Sequence, residues 1–189
     1  MEELANYILK FGDLNQQQLD LILSKVQPLK LKKNEFLCQA GKIPKYLGFV
    51  TQGVFRYNYY NNHGQDITRY FIDEHNFVSD YPKFMDQSVS TEYIQAVTDC
   101  SILAFTKSDW DEIGTIIVGW ELISGKIEKH CLTESLERRS PLVSEDATAR
   151  YLSFLKNFPL ILNRVPLSFV ASYLGITQQS LSRIRKNIQ

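Results

Sequence analysis

The chain has 189 residues, 44% of them apolar and 12% aromatic, enough for one large domain or two small ones with real cores. Its 21 cations and 21 acids cancel, but unevenly: Ala147 to Gln189 carries six cations and no acid, so residues 1–146 hold a net −6. No apolar run of about 18 residues points to a membrane span, and no cationic segment followed by an apolar run points to a secretory leader. Cys38, Cys100 and Cys131 are too scattered for a zinc pattern or a disulfide framework, which fits a reducing cytoplasm.

Residues 2–27 read as helices. Ile8 and Phe11 sit in a first short segment; Asn15 caps a second, with Leu19, Leu21, Ile22 and Val26 inward and Pro28 closing it. Strands follow. Leu29–Lys32 alternates, Lys33-Asn34 turns, and Phe36–Cys38 resumes before Gly41. Tyr46–Thr51, Val54–Tyr60, Ile67–Ile72, Tyr93–Val97 and Ser101–Phe105 complete the set. In Val54–Tyr60, Phe55, Tyr57 and Tyr59 share one face and Arg56 and Asn58 the other. Asn61-Asn62-His63-Gly64 is a hairpin turn by composition. Short strands at this spacing predict an antiparallel β-sandwich or roll over about 29–106.

Ser108 is expected to cap the next helix, with Asp109, Asp111 and Glu112 in its first turn. The helical pattern runs on to Glu137 despite Gly119 and Gly125. Ile116, Trp120, Ile123, Ile127 and Cys131 repeat at 4, 3, 4, 4, close to a coiled-coil seam that can face either the roll or a second copy of the chain. Ser140-Pro141 ends this helix. Ser144 caps another, whose stripe is Ala147, Tyr151, Phe154 and Phe158, and Pro159 stops it.

The last 25 residues carry the most specific pattern. Leu167, Val170, Ala171 and Leu174 form one stripe, Gly175 allows a sharp turn, and Thr177 caps a helix with Leu181, Ile184 and Ile188 inward. The outward positions are Gln178, Gln179, Ser182, Arg183, Arg185 and Lys186: amides, a hydroxyl and cations without a carboxylate. That face suits base edges and phosphates of double-stranded DNA. Ala171 where helices cross, Gly175 four residues on, and apolar neighbours make a helix-turn-helix; an ordinary αα-hairpin is the plainer alternative.

In this order the elements resemble the cyclic-AMP receptor/fumarate-nitrate regulator (Crp/Fnr) superfamily of bacterial transcription factors. The most specific stretches are LKKNEFLCQAGK at 31–42, AVTDCSILAF at 96–105, ARYLSFLKNFP at 149–159 and VASYLGITQQSLSRIRK at 170–186. The resemblance implies an α+β chain in three parts. Residues 1–107 would form an effector-type antiparallel β-roll, cyclic-nucleotide-binding-like, with N-terminal helices. Residues 108–139 would form a dimerisation helix, and 140–189 a helix-turn-helix domain. It also implies a homodimer through Ile116, Trp120, Ile123, Ile127 and Cys131, a palindromic operator, and RNA polymerase as partner. Thr177, Gln178, Gln179, Ser182, Arg183, Arg185 and Lys186 become the DNA-contacting set, with Gln178, Gln179 and Arg183 on base edges. The family often has Arg and Glu where Gln178 and Gln179 stand, so an altered target is expected.

The family's roll holds a cyclic nucleotide through a Gly-Glu pair and a later Arg. Val78-Ser79 and Ser90 occupy the matching places here, so cyclic AMP is not expected to bind in that manner. Any effector pocket is expected around Phe77, Asp80, Tyr81, Ser90 and Thr91, with the long helix near Trp120 and Ile123. Residues 1–37 contain no cysteine, which argues against an iron–sulfur cluster, and His63, His75 and His130 are haem candidates by residue type alone. No cofactor and no enzymatic activity are expected. The competing readings are a cupin-like metal enzyme, which lacks the His-x-His it would need, and a sensor that binds only protein.

Overall fold

A computed structural model describes residues 1–139 and 146–188. Two helices lead: α1 (Glu2–Ile8) and α2 (Gln16–Ser24). Asn15 accepts from the Gln18 amide while Gln18 returns a bond to the Asn15 amide, a reciprocal capping box. The helix ends at Ser24, and Pro28 does not close it; it lies inside the first strand, at a sheet edge where no amide is needed.

Eight strands follow: β1 (Gln27–Leu31), β2 (Phe36–Cys38), β3 (Tyr46–Gln52), β4 (Phe55–Tyr60), β5 (Asp66–Ile72), β6 (Phe77–Val78), β7 (Tyr93–Ala96) and β8 (Cys100–Thr106). A short helix, α3 (Tyr81–Asp86), interrupts them after β6. All pairings are antiparallel, in two sheets of order β1-β8-β3-β6 and β2-β7-β4-β5. Asn34 takes φ +74 in the turn before β2, the left-handed geometry expected of it.

Both sheets are covered on both faces. In β3, Leu47 and Phe49 join Phe77, Leu103 and Phe105 under the helices, while Val50 faces the other sheet with Ile102 and Ala104. Tyr7, Ile8 and Ile22 of the N-terminal helices pack on that outer face. The far face of the second sheet carries Phe71, which meets Phe154, Phe158 and Tyr173 of the C-terminal segment edge-on or tilted, centroids 5.9–6.1 Å apart. Double coverage explains why β3 and β4 are buried along most of their length rather than alternately.

The long helix is two helices. α4 (Lys107–Ile116) is capped by Thr106, whose hydroxyl accepts from the Asp109 amide, not by Ser108. The chain then breaks at Ile117–Gly119, with Gly119 at φ +82, and α5 (Trp120–Glu137) begins. α6 (Ala147–Asn157) is capped by Asp146, which accepts from the Thr148 and Ala149 amides; Ser140, Pro141 and the expected cap Ser144 fall outside the described residues. α7 (Leu167–Leu174) and α8 (Gln178–Ile188) end the chain. No helix among the described residues is long and apolar enough to cross a membrane.

Candidate nucleic-acid interface and effector cavity

α7 ends because Gly175 adopts φ +64, which lets the Gly175 and Ile176 amides bond back to the Ser172 and Ala171 carbonyls. Arg150 of α6 donates to the Leu174 carbonyl at 3.0 Å, meeting another group left open at that helix end. Thr177 then accepts from the Ser180 amide at 3.1 Å and starts α8. Val170, Ala171, Leu174 and Leu181 are buried where the helices cross. Ile184 is half-buried, but Ile188, expected inward, is exposed: it lies on the last turn, past the end of α7.

On the outer face of α8, Gln178, Gln179, Ser182, Arg183 and Lys186 are exposed and Arg185 half-exposed. Thr177, exposed as well, is spent on the cap. No hydrogen bond or ion pair among the described residues engages the α8 cations, and helices α6 to α8 contain no acid at all. The six cations of the tail therefore divide. Arg150 caps α7, Lys156 is exposed on α6, and Arg164 makes two bonds to Glu74, at 2.5 and 2.8 Å. Arg183, Arg185 and Lys186 are left to face solvent.

The helix-turn-helix unit sits on the roll. Phe169 of α7 stacks on the guanidinium of Arg56, 3.7 Å from its ring centroid. Arg56 is 3% exposed and bonds Asp66, Thr68 and Gln95. The alternation in β4 shows which face Arg56 occupies but not that another domain covers it. Arg138, at the end of α5, bonds Asp73, Asn76 and Glu134, and its own carbonyl accepts from Tyr173 at 2.9 Å. The end of α5 is thus wired to both roll and tail, through long-range pairs that leave no local pattern in sequence.

The expected seam turns inward. Trp120, Ile123 and Ile127 are buried against the roll and the N-terminal helices, and Cys131 lies 3.8 Å from the Tyr7 hydroxyl. Large aromatic and branched side chains gain more from this core than from a surface seam. Ile116 alone of that set is exposed, on α4. Another side of α5 carries a second apolar series. Leu122 is 69% exposed, Leu132 58% and Leu136 54%; Gly125, in the same row, has nothing within 4 Å of a Cβ placed on it. Positions 122, 125, 129, 132 and 136 step by 3, 4, 3, 4, the heptad spacing, with Lys129 the one charged member.

Between the roll and α5 lies a cavity of about 250 Å³. Phe77, Asp80 and Tyr81 line it. Ser90 does not; it is buried behind the wall, donating to Asp80 at 2.6 Å and accepting from the Glu92 amide at 3.0 Å. Thr91 is exposed, and Trp120 and Ile123 lie in the core below. The α5 wall is instead Ile127, Glu128, Cys131, Leu132 and Ser135. Arg69 and Glu92 face each other across the cavity wall at 2.5 Å. Burial pushes the Glu92 and Cys131 groups up, and Tyr81 is raised to about 12 for the same reason. His63 lies in the β4–β5 turn, His75 beside Glu3 and His130 beside Glu134.

A roll of two antiparallel sheets is followed by a pair of helices and a C-terminal helix-turn-helix. Residues 28–114 match the family model described as the cyclic nucleotide-binding domain, and the chain as a whole has the Crp/Fnr fold. A protein from Eubacterium rectale assigned to the Crp/Fnr family of transcriptional regulators is similar at 17% identity, covering 97% of this chain and 88% of that one, with a TM-score of 0.72. The c-di-GMP-responsive global regulator CLP of Xanthomonas campestris is similar at 14%, over 93% and 92%, TM-score 0.69. FixK2 of Bradyrhizobium japonicum is similar at 16%, over 86% and 84%, TM-score 0.66. No curated protein sequence matches the chain. At these identities the structural likeness is one of fold.

Proposed function

We propose that this chain is a sequence-specific DNA-binding transcription regulator that acts as a homodimer on a palindromic operator. The observation that carries the reading is the outer face of α8, which presents Gln178, Gln179, Ser182, Arg183 and Lys186 to solvent with no acid nearby and no internal partner. Gln can bond adenine N6 and N7, and Arg guanine O6 and N7, each through two contacts; the remaining cations hold phosphates. In functional terms residues 1–107 sense, 108–139 connect and pair, and 140–189 read DNA. The pairing surface is the exposed row Leu122, Gly125, Leu132 and Leu136 of α5, rather than the Trp120–Cys131 seam, which the chain's own core consumes. RNA polymerase is the partner at the promoter, and the site of action is cytoplasmic.

The cavity beside α5 is the effector site, and cyclic AMP does not occupy it in the family's manner. Where a phosphate would need a cation, the Ser90 hydroxyl meets the Asp80 carboxylate. Selection of binding sites from random duplex DNA tests the main reading: the expected product is a palindrome with half-sites about one helical turn, 10 base pairs, apart. Recovery of no enriched sequence would overturn it. In calorimetry, cyclic AMP is expected to release no heat at micromolar concentrations.

A further inference from the structure

The stretch Leu29–Tyr46 is a cationic island. It holds five lysines (Lys30, Lys32, Lys33, Lys42 and Lys45) against the single acid Glu35, while the rest of residues 1–146 carries ten cations against twenty acids. All five lysines are exposed. Among the described residues only Lys32 engages its ammonium group, on Asp99 at 3.1 Å, and both partners of that pair are largely in solvent, where such a pair is weak. Glu35 is partly spent, since one of its oxygens accepts from the Lys32 amide at 2.7 Å. The backbone beneath the lysines is held in place. The Lys33 amide donates to Asp99, the Lys42 amide donates to the Gln39 carbonyl, and the Lys42 carbonyl accepts from the Ser90 amide.

These lysines border an open groove of about 510 Å³ at the edge strands β1 and β2. Its lining is mostly apolar: Leu29, Leu31, Phe36, Leu37 and Tyr46, of which only Leu31 is buried. Lys30 lines the groove, Lys32 follows Leu31, the Lys42 amide is bonded to the lining residue Gln39, and Lys45 precedes Tyr46. Pro28 in β1 and the exposed lysines around both strands discourage a visiting strand from pairing with this edge. What the groove offers is side-chain contact, an apolar centre with a charged rim, which is the anatomy of a protein interface. Phosphates alone would leave that apolar centre unused. β1 and β2 also end their sheets on the side opposite β5 and β6, and the helix-turn-helix packs on β5, so the groove lies across the roll from it.

We infer that the β1–β2 groove is a docking surface for an acidic segment of a second protein, whose carboxylates meet the lysines while its apolar side chains enter the groove. Charge complementarity selects the partner: a cationic rim set in an otherwise acidic domain attracts an acidic segment and repels a basic one. The inference rests neither on the effector cavity nor on DNA binding.

The test titrates the full chain with a short synthetic peptide in which Asp and Glu alternate with Leu and Phe, followed by amide chemical shifts and fluorescence anisotropy. Two control peptides change one feature each, with Asn and Gln in place of the acids or Ser in place of the apolar residues. A random-sequence DNA duplex is the fourth probe. The acidic, apolar peptide is expected to shift the amides of Lys30, Leu37, Gln39 and Tyr46, with both controls silent there, and to bind more weakly as salt is raised. Lys30→Glu with Lys45→Glu is expected to weaken it roughly tenfold. Lys10→Glu with Lys156→Glu, the same change in net charge placed elsewhere, is expected to leave it unchanged. Both pairs replace exposed side chains and are expected to keep the fold, which the remaining amide shifts report. Equal binding by either control peptide, or equal weakening by the two double variants, would overturn the inference. Larger shifts of these amides with duplex DNA would make the groove a nucleic-acid surface and overturn the class of partner. No response of these amides to the acidic peptide would overturn the docking surface itself.

Discussion

The hydroxyl of Ser172, on the first helix of the helix-turn-helix, accepts a hydrogen bond from the amide of Thr68 at 2.9 Å, and the same oxygen donates to the Asp66 carbonyl at 2.9 Å. Thr68 and Asp66 lie on β5, the strand at the open edge of its sheet. One side chain thereby satisfies two backbone groups of an edge and sews the helix-turn-helix to the roll. Ser172→Ala leaves both groups without a partner at a buried contact. The expected loss is about 1–3 kcal/mol in urea unfolding, against no more than about 0.5 kcal/mol for Ser182→Ala on the exposed face of α8.

The contact has an apolar centre. Phe71 on β5 is fully buried among Phe154, Phe158 and Tyr173. Phe71→Ala is expected to cost about 3–5 kcal/mol of global stability. It should also make the tail more accessible to protease, because the same ring closes the interface between roll and tail. Limited digestion with mass spectrometry would show whether cleavage falls between the roll and α6.

Glu74 and Arg164 bridge the same interface. The Arg164 guanidinium holds the Glu74 carboxyl at about 2, below its usual 4.5. A carboxyl depressed in the folded state stabilises it fully above its unfolded pKa and loses that contribution as pH falls toward the folded value. Docking of the tail should therefore hold above about pH 4.5 and weaken from there down to pH 2. With both side chains about a quarter exposed, a contribution on the order of 1–2 kcal/mol remains after screening. Glu74→Gln should flatten that limb of the stability–pH curve while leaving the neutral-pH fold intact; an unchanged curve would contradict the assignment.

The helix-turn-helix was legible because its signals are local: an apolar stripe, Gly175 with its positive φ, Thr177 as cap and a run of 43 residues without acid. The roll was legible for the same reason in its longer strands. β6 and α3 were not, being two and six residues long with no periodicity to detect. The seam on α5 shows a different limit. The helix has two apolar rows, and periodicity identifies a face without saying what it meets. Trp120, Ile123 and Ile127 filled the core, and Leu122 and Leu132 were left outside. Arg56, Arg138 and Arg164 drew their roles from partners 10 to 90 residues away, which no sequence window contains.

The two rows make opposite predictions. Leu122→Arg, alone or with Leu132→Glu, places charge on the outer row and is expected to yield a folded monomer. Trp120→Ala removes a core side chain and is expected to cost about 3–5 kcal/mol with no direct effect on pairing. Light scattering coupled to size exclusion, read beside thermal unfolding, separates the two. A monomer from Trp120→Ala and a dimer from the Leu122 and Leu132 changes would place the interface on the inner row after all.

The central claim is that α8 reads base edges. It is tested most directly by measuring wild type and Arg183→Ala on the selected operator and on every single-base variant of it. The account predicts a loss of about 1–3 kcal/mol confined to discrimination at one base pair in each half-site, with the other positions read as before. An equal loss on every sequence, specific and non-specific alike, would make Arg183 a phosphate contact and contradict its place as the reader.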